Sequence, residues 1–73
     1  MYGNLIKHMR TESGLSQSEL AKIVGIAQNS LSAFELNVRE AKFELVVRIA
    51  EACDFEVILK DTNSNEEIVV KKK

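Results

Sequence analysis

The chain has 73 residues and a formal net charge of −1, with 45% hydrophobic and 29% charged residues. This balance is typical of a folded domain and excludes a disordered chain, and no apolar run approaches the roughly 18 residues of a membrane helix. One cysteine, Cys53, and one histidine, His8, exclude an internal disulfide and a His/Cys metal cluster. We therefore predict a cytoplasmic domain without metal or cofactor, and a homodimer, because so small a core is marginally stable alone.

Apolar residues recur at helical spacing up to Cys53 and alternate like strand residues beyond it, which divides the chain into residues 1–53 and 54–73. Glycines at positions 14 and 25 are expected to end the first two helices, because glycine adopts the left-handed conformation freely. The first part predicts four helices, over Asn4–Ser13, Gln17–Val24, Gln28–Leu36 and Lys42–Cys53. On the first of them we expect Leu5, Ile6 and Met9 to face the core.

The second part of the chain predicts two strands, Phe55–Lys60 and Glu67–Lys71, with the Lys71–Lys73 end frayed. A lone hairpin is marginal in water, and an unpaired apolar edge favours aggregation. Three arrangements are open: a hairpin packed on the fourth helix, a strand exchanged across a two-fold axis, or both. We expect a dimer interface that includes Phe55, Val57, Ile58 and Leu59.

Two short segments carry the clearest local signals. Ser16 and Glu19 are spaced as a capping box, in which the serine hydroxyl accepts from the Glu19 N–H and the carboxylate reaches back. The outward face of the third helix carries amides, hydroxyls and small side chains, whereas a merely solvated face usually carries Lys and Glu. Such groups can recognise hydrogen-bond patterns.

A short helix, a glycine turn and a second short helix between two longer helices form the helix-turn-helix arrangement. Residues 2–53 resemble the phage-repressor-like (Cro/C1, Xre-type) helix-turn-helix domains. The matching residues are Arg10, Gly14-Leu15-Ser16-Gln17-Ser18-Glu19-Leu20-Ala21, Gly25-Ile26, Leu31-Ser32, Glu35 and Ile49-Ala50. Because a strand follows the fourth helix directly, the layout is similar to that of HipB-type antitoxins. The resemblance implies a mainly α, lambda-repressor-like four-helix domain whose C-terminal strand or hairpin serves dimerisation.

The resemblance also implies roles for single residues. The third helix would enter the major groove, where each base pair shows a distinct hydrogen-bonding pattern. The implied base contacts are Gln28, Asn29, Ser30, Ser32 and Ala33. The implied phosphate contacts are Gln17, Asn37, Arg39 and Lys42. Arg10 and Glu35 are similar to the family's interhelical ion pair, and Ala27 stands where the family often has a Ser or Thr helix cap, a loss of about 0.5–2 kcal/mol.

The implied function is a sequence-specific repressor that binds a palindromic operator in double-stranded DNA as a homodimer. The HipB-type layout further implies an antitoxin with a kinase-like toxin as partner. Two alternatives remain: a free-standing regulator, and a protein-interaction module that has lost DNA binding. Acidic and basic residues balance in residues 1–53, which supports the second alternative because DNA-binding domains are commonly basic. The sequence contains neither a nucleophile paired with a base nor a phosphate-binding glycine loop, so no pattern in it indicates an enzyme.

Overall fold

The structure, a computed structural model, describes residues 1–70. It consists of four helices followed by two strands: α1 Gly3–Glu12, α2 Gln17–Val24, α3 Gln28–Glu35, α4 Phe43–Ala52, β1 Val57–Lys60 and β2 Glu67–Val70. The mainly α fold class with a C-terminal hairpin is therefore confirmed, and α2 has the predicted bounds. The expected fraying of Lys71–Lys73 concerns residues outside the described part of the chain.

The first half of the helix-turn-helix is defined by its two ends. At the start of α2, the Glu19 N–H donates to Ser16 Oγ at 3.0 Å and the Ser16 N–H donates to Glu19 Oε1 at 2.8 Å, so the capping box is formed. At its end, Gly25 has φ 77°, a left-handed conformation that costs glycine nothing. This glycine turns the chain from α2 into α3.

Each helix contributes one large, fully buried aliphatic side chain to a single core, and these are Ile6, Leu20, Leu31 and Ile49. Met9 and Cys53 are buried beside them. Leu5 was expected to face the core as well, but it is 48% exposed, so that expectation is wrong. Leu5 lies one residue before Ile6, which is about 100° around the helix axis. This rotation turns its side chain away from the face of α1 that packs on the core.

The two strands form an antiparallel hairpin within one chain, with Val57 opposite Val70 and Lys60 opposite Glu67. Phe55 and Val57 pack against the helical core and anchor the hairpin to it. Further along, the paired residues Leu59 and Ile68 remain 53% and 65% exposed. The hairpin therefore leaves apolar surface uncovered in the single chain.

Within residues 1–70, no helix is long and apolar enough to cross a bilayer. The same residues contain no group of three or more His, Cys, Asp or Glu side chains that could hold a metal ion.

Candidate nucleic-acid interface

The third helix has one buried side and one open side. Leu31 and Glu35, one turn apart, are buried against the other helices. Gln28 and Asn29 are exposed, and Ser32 and Ala33 are half-buried. α3 thus presents a continuous surface of amide, hydroxyl and methyl groups with no charge on it.

A cleft lies between the start of α2 and the start of α3. It is lined by Gln17, Gln28, Asn29 and Ser32. Four residues to which the sequence assigned contacts with nucleic acid therefore meet at one place, although they come from two helices. Ala27 precedes α3 without a side-chain cap, so backbone N–H groups at the start of this helix are left without a side-chain acceptor, and such groups attract anions.

A hydrogen-bonded network holds α3 in place from behind. Arg10 Nε donates to Glu35 Oε2 at 2.6 Å and Arg10 Nη2 to Glu35 Oε1 at 3.0 Å, while Arg10 Nη1 donates to the Leu15 carbonyl at 2.9 Å. The expected ion pair between Arg10 and Glu35 is thus present, with the two side chains 13% and 3% exposed. It joins α1, the turn before α2, and α3.

Gln17 belongs to the same network. Its Nε2 donates to Glu35 Oε1 at 3.1 Å, so one end of a side chain that was assigned to phosphate is held by the protein itself. Burial by itself would raise the pKa of Glu35, but the hydrogen bonds from Arg10 and Gln17 outweigh it and lower that pKa below its usual value. The hydrogen bond to Glu35 in turn raises the pKa of Arg10. The pair is therefore fully charged near neutral pH.

Ser30 and Arg39 lie together on a different side of α3 from the cleft. Arg39 Nη1 donates to Ser30 Oγ at 3.3 Å. The same guanidinium stands 5.2 Å from the centre of the Phe34 ring, a cation–π geometry. Of the five residues assigned to base contacts, three line the cleft, Gln28, Asn29 and Ser32, whereas Ser30 and Ala33 do not.

Asn37 connects the end of α3 to the start of α1. It has φ 59°, the left-handed conformation expected of a residue that ends a helix, and its Oδ1 accepts from the Gly3 N–H at 3.1 Å. A Cβ at Gly3 would lie 2.6 Å from the Phe34 carbonyl oxygen and 2.7 Å from that of Glu35. The close approach of α1 to α3 thus requires glycine at position 3. The sequence did not predict this role, although a glycine at the start of a helix, where no turn requires one, was a signal for it.

Two basic residues of the α4 region differ in what they contact. Lys42 is the N-cap residue of α4, and its side chain makes no capping hydrogen bond. Because the residue is exposed, its ammonium group is accessible. Arg48 Nη2 donates to the Val24 carbonyl, the last residue of α2. Arg48 thereby binds the C-terminal end of α2, where a cation is favourable, and no local sequence pattern signalled this contact.

Comparisons with known proteins agree with the helix-turn-helix fold. The family model described as "Helix-turn-helix" (HTH_3) matches residues 6–58. Antitoxin HipB of Escherichia coli strain K12 is 33% identical over 61 residues, which cover 84% of this chain and 69% of HipB. Two longer curated relatives match over only 16% and 29% of their own lengths, so the chain spans less than a third of either.

Solved structures are similar as well. The structure of SinR, the master regulator for biofilm formation, in complex with DNA superposes with a TM-score of 0.67 at 34% identity, covering 75% of this chain and 89% of the matched chain. The HipA-HipB-O2-O3 complex gives a TM-score of 0.66 at 35% identity, covering 82% of this chain and 84% of the matched one. The matched chains are named as regulators and antitoxins rather than as enzymes.

Proposed function

Because this chain belongs to the helix-turn-helix family of DNA-binding regulators, we propose that it is a sequence-specific transcriptional repressor that binds a two-fold-symmetric operator as a homodimer. The observation that carries the proposal is the uncharged open side of α3, where Gln28 and Asn29 are exposed at the edge of a cleft. Amide side chains form two hydrogen bonds with adenine, through its N6 and N7. Because this face carries no charge, we expect base recognition to depend on such hydrogen bonds.

Contacts with phosphate would surround this face. Lys42 is accessible. One N–H of the Gln17 side-chain amide donates to Glu35, which leaves its second N–H for a phosphate oxygen. Arg39 would have to exchange its hydrogen bond to Ser30 for a phosphate oxygen, whereas Asn37 retains its NH₂ group while its oxygen binds Gly3. Because acidic and basic residues balance in residues 1–53, we expect few phosphate contacts and a shallow salt dependence of binding.

Dimerisation would use the hairpin. Its exposed apolar pairs, including Leu59 and Ile68, and the free edge of β1 offer both backbone and side-chain partners to a second copy. A C2 dimer places the same surface on both subunits. Two α3 helices about 34 Å apart would then meet successive major grooves on one side of the duplex.

Within this function, we propose an antitoxin role with a kinase-like toxin as partner. The similarity to HipB covers 84% of this chain by sequence and 82% by structure, whereas that to SinR covers 75%. The HipB match thus covers more of the chain than the SinR match does. Co-purification with the product of the neighbouring reading frame tests this role; a free-standing regulator would purify alone and still bind its operator.

The DNA-binding proposal is tested by selecting binding sites from random duplex DNA with the purified protein. We expect a two-fold-symmetric motif that wild type enriches and that a Gln28→Ala/Asn29→Ala double variant does not, with the helical circular dichroism of the variant unchanged. Asn63→Ala is the matched control, since it removes an exposed amide from the hairpin turn. A protein-interaction module would enrich no sequence, and that result would overturn the proposal.

A further inference from the structure

Leu36 follows the last residue of α3 and keeps helical backbone angles, φ −85° and ψ 0°. At about 100° per residue, the open side of α3 from Gln28 to Ala33 spans an arc of about 140° around the helix axis. Leu36 falls at about 80° from Gln28, near the middle of that arc. It therefore continues the amide-bearing surface by one further turn.

The side chain of Leu36 is 70% exposed. A leucine at the centre of a recognition surface carries no hydrogen-bonding group, so it cannot act as the amides do. It could instead cover an apolar group on the partner. The next residue, Asn37, has the left-handed conformation, and its Oδ1 accepts a hydrogen bond from the Gly3 N–H. This hydrogen bond fixes the position of the backbone next to Leu36.

We propose that Leu36 is a specificity-determining residue that contacts the C5-methyl group of a thymine in each half of the operator. This inference rests on the proposed DNA-binding function. Thymine is the base that presents a methyl group in the major groove, and apolar side chains recognise it by contact. From Gln28 to Leu36 the helix advances about 12 Å along its axis, which corresponds to about three to four base-pair steps of 3.4 Å. The amides would then read adenine at one end and Leu36 thymine at the other.

The experiment uses the operator obtained by selection and exchanges each symmetric pair of thymines for uracil, which removes only the methyl groups. For one pair we expect wild type to bind about fourfold more weakly for each half-site, the loss that corresponds to one methyl-sized apolar contact. The Leu36→Ala variant should bind the thymine operator more weakly by a similar factor and should show no further loss with uracil. Val38→Ala is the matched control because Val38 is 75% exposed two residues later, and it should keep the full uracil effect.

A Leu36→Ala variant that keeps the uracil penalty of wild type overturns the inference while leaving DNA binding by Gln28 and Asn29 intact. A variant that dissociates into monomers, with an unchanged response to uracil, also overturns it and assigns Leu36 to a protein contact. If no sequence is enriched in the selection, the proposed function and the inference both fail.

Discussion

The guanidinium of Arg10 and the carboxylate of Glu35 meet in two hydrogen bonds, 2.6 and 3.0 Å long, that join α1 to α3 behind the proposed recognition surface. Removing Arg10 takes away the cation that pairs with the buried Glu35 carboxylate, and the Gln17 amide that still donates to this carboxylate carries no charge. We therefore expect Arg10→Met to lower the free energy of unfolding by about 3 kcal/mol, measured by urea denaturation at pH 7. Replacing both residues, as Arg10→Met/Glu35→Leu, should recover much of that loss, because no charge is then left unpaired.

Lys22→Met is the control for this pair, since Lys22 is an exposed cation on α2 and should change stability by less than about 0.5 kcal/mol. A double variant that is no more stable than Arg10→Met alone would contradict this account of the pair.

The same carboxylate should make stability depend on pH in the acid range. The pKa of Glu35 in the folded chain is lowered from its ordinary value of 4.5, because the hydrogen bonds from Arg10 and Gln17 outweigh the effect of burial. Its contribution is therefore complete above about pH 4.5 and is lost as the pH falls from there through the folded-state pKa. We expect the urea midpoint of wild type to fall between pH 5 and pH 3.

A Glu35→Gln variant should be less stable at pH 7 and lose less on acidification than wild type. Hydrogen bonds from backbone groups also lower the pKa of Glu19 and of Asp61, so part of the acid sensitivity will remain in this variant. Parallel pH profiles for wild type and Glu35→Gln would show that the buried carboxylate is not its source.

Features of the fold that depend on neighbouring residues were readable from the sequence. The bounds of α2 follow from the Ser16 capping box and from Gly25, which act within a few residues of the helix they delimit. The two strands likewise follow from alternating apolar residues on either side of a polar turn, whereas the sequence left open whether they pair within one chain.

Features that depend on distant residues were not readable in the same way. The hydrogen bond from Arg48 to Val24 and the one from Gln17 to Glu35 join residues 24 and 18 positions apart. The packing of four helices creates these contacts, and no local spacing specifies them. The ion pair of Arg10 was anticipated only through the family resemblance, since its partner is 25 positions away.

Gly3 provides a test of the contact between α1 and α3. A methyl group there would lie 2.6 Å from the Phe34 carbonyl oxygen, and backbone atoms cannot turn aside as a flexible side chain can. We expect Gly3→Ala to destabilise the fold by about 1–3 kcal/mol, although alanine is the better helix former. Asn4→Ala, at the neighbouring exposed position of α1, should be neutral or slightly stabilising in the same thermal unfolding measurement. Equal stability of the two variants would show that the helices do not approach so closely.

The uncapped start of α3 offers a stabilising change. Ala27 has the extended backbone of a helix cap, φ −72° and ψ 145°, but no side chain that can accept from the first N–H groups. Ala27→Ser supplies that acceptor and should raise the free energy of unfolding by about 0.5–2 kcal/mol. Ala33→Ser places the same hydroxyl inside α3, where the backbone is already bonded, and should give no such gain. A serine at position 27 that leaves the melting temperature unchanged would indicate that these N–H groups are already satisfied.

Dimerisation through the hairpin is tested best at a residue that the single chain does not need for folding. Val57 packs on the helical core, so its replacement would disturb the monomer itself, whereas Leu59 is 53% exposed. We expect wild type to show twice the chain mass of 8.2 kDa in light scattering and Leu59→Asp to weaken the dimer at least about tenfold, because association would bury an unpaired carboxylate. Ile23→Asp changes an equally open aliphatic residue of α2, 58% exposed, and should remain dimeric. A Leu59→Asp protein that keeps the dimer mass at every concentration would exclude this face of the hairpin from the interface.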